Sequence, residues 1–213
     1  RRRNRFWRER GRGARQQGAK QGGQDLRRDL LIVGAGGSGL ACAVQAALNG
    51  TNLILVDKSN QVGGNANFVE GMFAVNSTLQ LEQGIDMQPA DIMEAELSRG
   101  QHRQNGDVWL DFVSKSADNI TWCIEQGVMY SGKVDDYRVG LFPTFHWFKD
   151  GKCKIGYVDP MIKRVDELGI EVHLNTAATS LIQQDGASWA RMRKATMVWC
   201  STTARRSCSP PGG

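Results

Sequence analysis

The stretch that decides the fold reads Leu30-Leu31-Ile32-Val33-Gly34-Ala35-Gly36-Gly37-Ser38-Gly39. A segment of small residues follows it, and then a second apolar run at 53–56 closes on Asp57. The glycines fit the pattern G-x-G-x-x-G between a strand and a helix, with an acid eighteen residues after the last glycine. This strand–turn–helix–strand order predicts a unit that binds an adenine dinucleotide.

Each part of this fingerprint has a physical role. Gly34 permits a tight turn off the strand, Gly36 lets a pyrophosphate approach the backbone, and Gly39 lets the helix pack closely on the sheet. The start of the helix presents free N–H groups and the positive end of its dipole to phosphates. Asp57 can accept hydrogen bonds from ribose hydroxyls. The alternative is a glycine-rich turn that binds nothing.

Charge divides the chain into three parts. Residues 1–24 carry nine Lys/Arg and one Glu, whereas residues 187–213 carry five Lys/Arg and no acid. We predict that residues 1–28 form a disordered basic arm, because such a composition buries too little apolar surface to offset the entropy of ordering. Residues 187–213 show no regular period and are predicted to form an irregular tail outside the fold. The single predicted domain is therefore 29–186, which is acidic.

Helical and strand patterns alternate along this domain. Helices are predicted at 89–99, 107–126 and 160–168, and strands at 170–174 and 179–182. This order predicts an α/β class with a Rossmann-like, doubly wound arrangement, in which a parallel sheet is flanked by helices.

Composition argues against several other classes of protein. The five cysteines form no C-x-x-C pair and the three histidines lack ligand spacing, so neither a disulfide framework nor a metal site is predicted. No apolar run approaches the length of a bilayer span. No signal peptide pattern is seen, and a cytoplasmic location is the default expectation. A nucleic-acid-binding protein acting through its arginine arm is the alternative ranked last; it predicts steeply salt-dependent binding.

A second glycine motif, Gly63-Gly64-Asn65-Ala66, follows the Asp57-Lys58 pair and precedes a Gly71-Met72-Phe73-Ala74 turn. A plain NAD-binding unit does not need this second loop. Together these motifs resemble the FAD-binding part of the fumarate reductase/succinate dehydrogenase flavoprotein family, which includes soluble fumarate reductases and urocanate reductase. The resemblance implies FAD as the cofactor and a partial Rossmann-like FAD-binding fold from a truncated member.

The resemblance extends over most of the domain and adds further site residues. The segment 168–179 resembles the family strand whose backbone meets the adenine, with Ala178 as the contact. The chain departs from the family pattern at Ala66, where a hydroxyl is usual, and at Glu70, where glycine is frequent. The fingerprint and the resemblance together assign cofactor binding to Gly34, Ala35, Gly36, Gly37, Ser38, Gly39, Asp57, Lys58, Gly63, Gly64, Asn65, Ala66, Glu70, Gly71 and Ala178.

His146 is the one candidate for contact with a substrate. The segment around it is similar to the family's H-R-P-x-G-G phrase, whose histidine helps to bind a substrate carboxylate. Trp147 and Phe148 replace the arginine and proline of that phrase. The alternative is a histidine packed among aromatic residues with a backbone hydrogen bond.

The resemblance implies an FAD-dependent oxidoreductase acting on CH–CH bonds, with hydride transfer between flavin N5 and an activated, 2-enoate-like C=C. It implies a small carboxylate as substrate, and an electron-donor protein or a reduced flavin as partner. The family's cap domain and proton-donating arginine have no matching motif here, so the isolated chain is expected to be incomplete and poorly active. The alternatives are an NAD(P)-binding Rossmann dehydrogenase, a flavin dehydrogenase of the ketosteroid type and a non-catalytic FAD-binding remnant.

Overall fold

The computed structural model of this chain describes residues 25–138, 140–184, 187–192 and 197–200. Its strands are β1 (Asp25–Arg28), β2 (Leu30–Val33), β3 (Leu53–Val56), β4 (Gly71–Phe73), β5 (Tyr130–Asp135), β6 (Phe145–Phe148), β7 (Glu171–His173), β8 (Ala178–Gln184), β9 (Ala187–Met192) and β10 (Met197–Cys200). Its α-helices are α1 (Gly37–Leu48), α2 (Thr78–Leu81), α3 (Pro89–Arg99), α4 (Gly106–Glu125) and α5 (Asp159–Glu167). Short 3₁₀ turns span Gly64–Phe68 and Lys149–Gly151, and a π-helical turn at Lys154–Val158 leads into α5.

A three-stranded parallel sheet carries the fingerprint. Its order is β2-β3-β7, with Leu30 opposite Leu53 and Val56 opposite His173. All four residues of β3 are buried, which accounts for its unbroken apolar run, since a central parallel strand is covered on both faces. Helices α1 and α5 pack against each other beside this sheet. The predicted α/β fold with a parallel sheet flanked by helices is therefore confirmed.

The core lies between the parallel sheet and these two helices. It contains Leu40, Ala43 and Val44 of α1, together with Met161 and Val165 of α5, all fully buried. Small residues on α1 allow its close approach to the sheet, whereas the larger α5 side chains fill the remaining space. The three predicted helices downstream of the fingerprint are confirmed to within two residues at each end.

Two further sheets complete the described part of the chain. Strands β4, β6 and β5 form an antiparallel sheet with β6 in the centre. The other sheet has the order β1-β10-β9-β8. The strand predicted at 179–182 therefore belongs to this separate sheet and not to the parallel one.

The predicted boundaries at residues 28 and 186 need correction. β1 lies within the predicted disordered arm, and β9 and β10 lie within the predicted irregular tail. β9 pairs with β8, while β10 pairs in parallel with β1 from the opposite end of the chain. Ladder hydrogen bonds join backbones and need no side-chain alternation, so periodicity missed these strands. The rest of both predicted segments, 1–24, 193–196 and 201–213, lies outside the described residues.

Candidate functional site

The fingerprint loop connects β2 to α1 with the geometry that its glycines require. Gly34 has φ +107°, a conformation that residues with a Cβ rarely adopt. A Cβ on Gly39 would overlap the carbonyl oxygen of Gly34 and lie 3.0 Å from its carbonyl carbon. Gly39 is thus needed where the first turn of α1 passes over its own loop. The same Cβ would also lie 3.7 Å from the side chain of Ile32 on the strand. A Cβ on Gly36 would meet only the Gly63 oxygen, at 3.8 Å.

Ala35 joins the three predicted parts of the site through its backbone. Its N–H donates to Oδ2 of Asp57 at 2.7 Å, and its carbonyl accepts from the N–H of Gly63 at 2.7 Å. A parallel bridge between Gly36 and Gly63 continues this contact. The fingerprint, the acid and the second glycine motif therefore form one continuous surface, although they are separate in the sequence.

The start of α1 lacks a side-chain cap, whereas α2 and α4 each have one. Ser77 forms a capping box at α2, and the side chain of Asn105 caps α4. At α1 the N-cap is Gly36, which has no side chain to donate or accept, and the first turn contains no acid. The first N–H groups of α1 are therefore presented to an external acceptor, and a negatively charged group there is favoured by the helix dipole.

The second glycine motif forms a tight turn against this helix start. Gly63 and Gly64 have φ of +97° and +50°, so both use backbone conformations that favour glycine. A Cβ on Gly37 would lie 3.3 Å from the Cβ of Ala66, which shows how closely the two loops pack. Asn65 is exposed beside them. The methyl group of Ala66 lies where the family pattern has a hydroxyl, and it packs against the fingerprint instead.

Asp57 is held as an anion by backbone donors. Its Oδ1 accepts from the N–H of Ser59 at 2.7 Å, in addition to the bond from Ala35. Burial acts to raise the pKa of the carboxyl, but the hydrogen bonds from Ser59 and Ala35 outweigh it, and the net pKa is below its ordinary value. Each carboxylate oxygen has a second lone pair, so Asp57 can still accept from hydroxyl groups of a ligand.

The main chain of Asp57 also contacts the segment that leads to Ala178. The carbonyl of Asp57 accepts from the N–H of Thr176 at 2.7 Å, and this bond draws the segment after β7 towards the acid. Ala178 starts β8 two residues later and is exposed. Lys58 is also exposed, and its charge contributes to lowering the Asp57 pKa. Ala178 thus lies two residues after the segment that is bonded to the main chain of the acid.

Tyr157 is a site residue that sequence reasoning missed. Its hydroxyl donates to the carbonyl of Gly37 at 2.8 Å and so fastens the start of α1 from the π-helical turn. No spacing in the sequence signals a contact between residues so far apart. A cavity of about 460 Å³ lies alongside, and its lining includes Gly37, Ser38, Ala66, Trp122, Phe148 and Tyr157. Its volume is within the range of ligand sites, roughly 300–1,000 Å³.

Glu70 and Gly71 lie at the entrance to β4. A Cβ on Gly71 would overlap the carbonyl oxygen of His146 on the neighbouring strand, so this glycine has a structural role. The Oε2 atom of Glu70 accepts from the hydroxyl of Tyr137 at 2.8 Å and lies 3.4 Å from Arg138. The glutamate that departs from the family pattern is thus tied to the loop after β5.

His146 lies inside the molecule. It is fully buried on β6, its Nε2 lies 2.6 Å from Oγ of Ser77, and its Nδ1 lies 3.1 Å from the carbonyl oxygen of Thr144. The carbonyl can only accept, so Nδ1 carries the proton and Nε2 accepts from the Ser77 hydroxyl. Both ring nitrogens are engaged, and Tyr130 packs edge-on against the ring. This arrangement corresponds to the alternative of a packed histidine and leaves no ring atom for a substrate carboxylate.

We expect the free energy of unfolding to decrease as the pH falls, because His146 is buried. Burial lowers its pKa below the ordinary value of 6.5, despite hydrogen bonds that act to raise it. The unfolded chain therefore takes up a proton as pH falls below about 6.5, whereas the folded chain resists until its lower pKa is reached. The stability present above pH 6.5 is lost across that interval. Urea unfolding between pH 7.5 and 5 measures the effect.

His146→Gln should remove this part of the pH dependence and cost about 1–3 kcal/mol at pH 7, because Ser77 loses its acceptor. His102→Gln, on an exposed residue, is the matched control and should retain the wild-type slope. An unchanged slope in His146→Gln would show that other groups cause the acid sensitivity.

The donors present here fit an adenine dinucleotide. An uncapped helix start faces phosphates, an anionic acid with spare lone pairs is suited to ribose hydroxyls, and glycine loops leave room for a backbone approach. Among residues 25–138, 140–184 and the described strands after them, no cluster of three metal-ligating side chains occurs. Within the same part of the chain, no helix is long and apolar enough to cross a membrane.

Comparison with known proteins assigns a family to this site. Residues 29–208 match the sequence profile described as FAD binding domain. The vinyl phenol reductase of Lactiplantibacillus plantarum is 34% identical over 160 residues, which is 75% of this chain and 32% of that protein. The NADH:fumarate oxidoreductase of Klebsiella pneumoniae is 28% identical over 82% of this chain and 19% of its own length. The urocanate reductase of Eggerthella lenta is 28% identical over 73% of this chain and 26% of its own length.

Solved structures share the fold. A flavocytochrome c3 fumarate reductase in an open conformation superposes with a TM-score of 0.74 at 24% identity, covering 84% of this chain and 33% of that chain. A 3-ketosteroid-delta4-(5alpha)-dehydrogenase from Rhodococcus jostii superposes with a TM-score of 0.70 at 16% identity. The match covers 86% of this chain and 46% of that chain. The chain spans about a third or less of the length of the three curated relatives.

Proposed function

The chain belongs to the FAD binding domain family, and from this premise we propose that it is the cofactor-binding part of a flavin-dependent reductase acting on an activated carbon–carbon double bond. Its cofactor is FAD, and the family match favours FAD over the NAD(P) alternative. The relatives named above are reductases of vinyl phenol, fumarate and urocanate. Their names support the reaction class.

The observation that carries the proposal is the junction at Ala35. Its N–H bond to Asp57 and its carbonyl bond from Gly63 align the fingerprint, the ribose acid and the second glycine loop. A nicotinamide-binding unit needs the first two parts only. The third part extends the backbone surface beyond the pyrophosphate, as a longer dinucleotide requires.

Within this proposal each group has a defined task. The N–H groups of Gly37 and Ser38 receive the pyrophosphate, and Asp57 accepts from the adenosine ribose. Gly63 and Gly64 let the chain follow the cofactor, and Ala178 lies beside the adenine. Bound FAD supplies a flavin that exchanges a hydride with the substrate double bond. Tyr157 and the Ala35 junction hold these donors in place before the cofactor arrives, which reduces the ordering cost of binding.

The partners are proposed from the same family logic. An electron-donor protein or a reduced flavin would reduce the bound cofactor. The substrate would be a small carboxylate with an activated double bond, or another activated alkene. His146 is buried and bonded at both nitrogens, so this proposal gives it no contact with substrate. Its task is to hold β6 and the Ser77 turn together.

Gly36→Ala is the variant that tests the FAD site without disturbing the fold. The added Cβ meets only the Gly63 oxygen at 3.8 Å, so the unfolding free energy should change by about 1 kcal/mol or less. The same methyl group stands in front of the backbone that must approach the pyrophosphate. We expect the wild-type chain to retain flavin absorbance after FAD loading and gel filtration, and Gly36→Ala to bind FAD at least tenfold more weakly.

Gly106→Ala is the control, because a Cβ there meets nothing within 4 Å and the residue lies far along the chain on α4. This control should retain FAD like the wild type. A folded wild-type chain that stays colourless, or equal FAD affinity in Gly36→Ala, would contradict the proposed site.

A further inference from the structure

A second cleft opens at the end of the cofactor loop. Its volume is about 430 Å³, and its lining includes Phe68, Glu70, Tyr137, Arg138 and Phe145. The first two follow directly on the second glycine motif, so the cleft adjoins the loop proposed to accompany the cofactor. We refer to these five residues as the aromatic cleft.

The walls of this cleft are aromatic and partly open. The rings of Tyr137 and Phe145 stack with centroids 4.2 Å apart, and Trp147 packs edge-on against Phe145 at 5.1 Å. Phe68, at the end of the 3₁₀ turn after the second glycine motif, lines the same cleft and is 83% exposed. Covering an exposed phenylalanine with another ring removes apolar surface from water and therefore favours binding. Stacked aromatic walls favour a planar ligand.

The polar end of the cleft is formed by one carboxylate and one guanidinium. Oε2 of Glu70 is occupied by the Tyr137 hydroxyl and approached by Arg138. Arg138 also lies over the Tyr137 ring, 4.9 Å from its centroid. The hydrogen bond that Tyr137 donates to Glu70 raises the pKa of the tyrosine, so its hydroxyl keeps its proton and stays a donor. Among the described contacts, Oε1 of Glu70 is left to accept from a ligand.

From this geometry we propose that the aromatic cleft binds a hydroxyl-bearing aromatic ring, so that the double bond reduced by this flavoprotein is conjugated to a phenol. The ring packs between Phe68 and the Tyr137–Phe145 stack, and its hydroxyl donates to Glu70. The charges of Glu70 and Arg138 cancel overall. A ligand that places a neutral phenol at this end is therefore favoured over one that places a carboxylate beside Glu70. The inference rests on the proposed function, because it places the substrate beside the FAD loop.

Three matched ligands and two variants test this proposal by titration calorimetry on the full chain. The ligands are 4-hydroxycinnamate, cinnamate without the hydroxyl, and crotonate without the ring. We expect affinity to fall in that order. Phe68→Ala should weaken both aromatic ligands about tenfold or more, and Glu70→Gln should weaken 4-hydroxycinnamate while leaving cinnamate within about twofold.

Val108→Ala, which trims another exposed apolar residue on α4, is the control and should bind like the wild type. Equal affinity for the three ligands, or an unchanged profile in Phe68→Ala, would overturn the inference. FAD retention is measured on the same samples. If Phe68→Ala loses FAD but still binds 4-hydroxycinnamate and cinnamate like the wild type, the cleft holds the ring of the cofactor. That result would also overturn the inference. A wild-type chain that fails to retain FAD would contradict the proposed function, separately from the ligand series.

Discussion

Gly39→Ala is expected to destabilise the chain by about 3 kcal/mol or more and to abolish FAD retention. The new Cβ would overlap the carbonyl oxygen of Gly34, which is part of the backbone and cannot rotate away as a side chain could. Relief requires α1 to move off the loop. That movement would pull Ala35 away from Asp57 and Gly63, and so would open the junction that aligns the site. Urea unfolding and flavin absorbance after gel filtration measure both effects.

Gly106→Ala is again the matched control, since it also adds one methyl group at the first turn of a helix but in open space. Its unfolding free energy should equal or slightly exceed that of the wild type, because alanine favours helix more than glycine does. Comparable stability of the Gly39 and Gly106 variants would contradict the close packing described for the fingerprint.

Asp57→Ala should lower both stability and FAD affinity. The change removes the acceptor for two backbone N–H groups, at Ala35 and Ser59, at an expected cost of about 2–4 kcal/mol at neutral pH. FAD affinity should fall at least tenfold, because the ribose loses its acceptor and the loop loses its anchor. Urea unfolding at pH 7 and flavin titration provide the two measurements.

The effect of Asp57 should depend on pH in a defined direction. The folded pKa lies below the ordinary value of 3.8, so the ionised carboxylate stabilises the fold fully above that value. This stabilisation is lost as pH falls through the folded pKa, so the difference between wild type and Asp57→Ala should shrink below about pH 4. Asp118→Ala, on the exposed face of α4, should change stability by less than about 0.5 kcal/mol. A difference that grows in acid would contradict the role given to the carboxylate.

Local motifs could be predicted because their physics is local. The strand, turn and helix of the fingerprint depend on sterics and helix-start geometry within ten residues, and the sequence shows them directly. The same holds for helices that start at Pro89 or end before Gly127. The bond from Ala35 to Gly63 could not be predicted, because it depends on how two loops meet in space.

Burial is the property that the residue pattern left undecided at His146. Its neighbours in the sequence resemble a substrate-binding phrase, yet pairing of β6 between β4 and β5 places the side chain inside, against Ser77. The strands in the predicted tail were missed for a related reason. β10 pairs with β1 from the other end of the chain, and such pairing leaves no local period.

By itself, the sequence determined the α/β class and the dinucleotide fingerprint, because residue type and spacing constrain a tight turn and a helix start within a few residues. Its resemblance to a flavoprotein family added FAD as the cofactor. Only the tertiary structure decided that both glycine motifs and Asp57 converge on Ala35, that Tyr157 fastens the start of α1, and that aromatic side chains from distant segments line one cleft. These contacts depend on packing between segments distant in the chain, where position in space, and not order in the sequence, sets which groups meet.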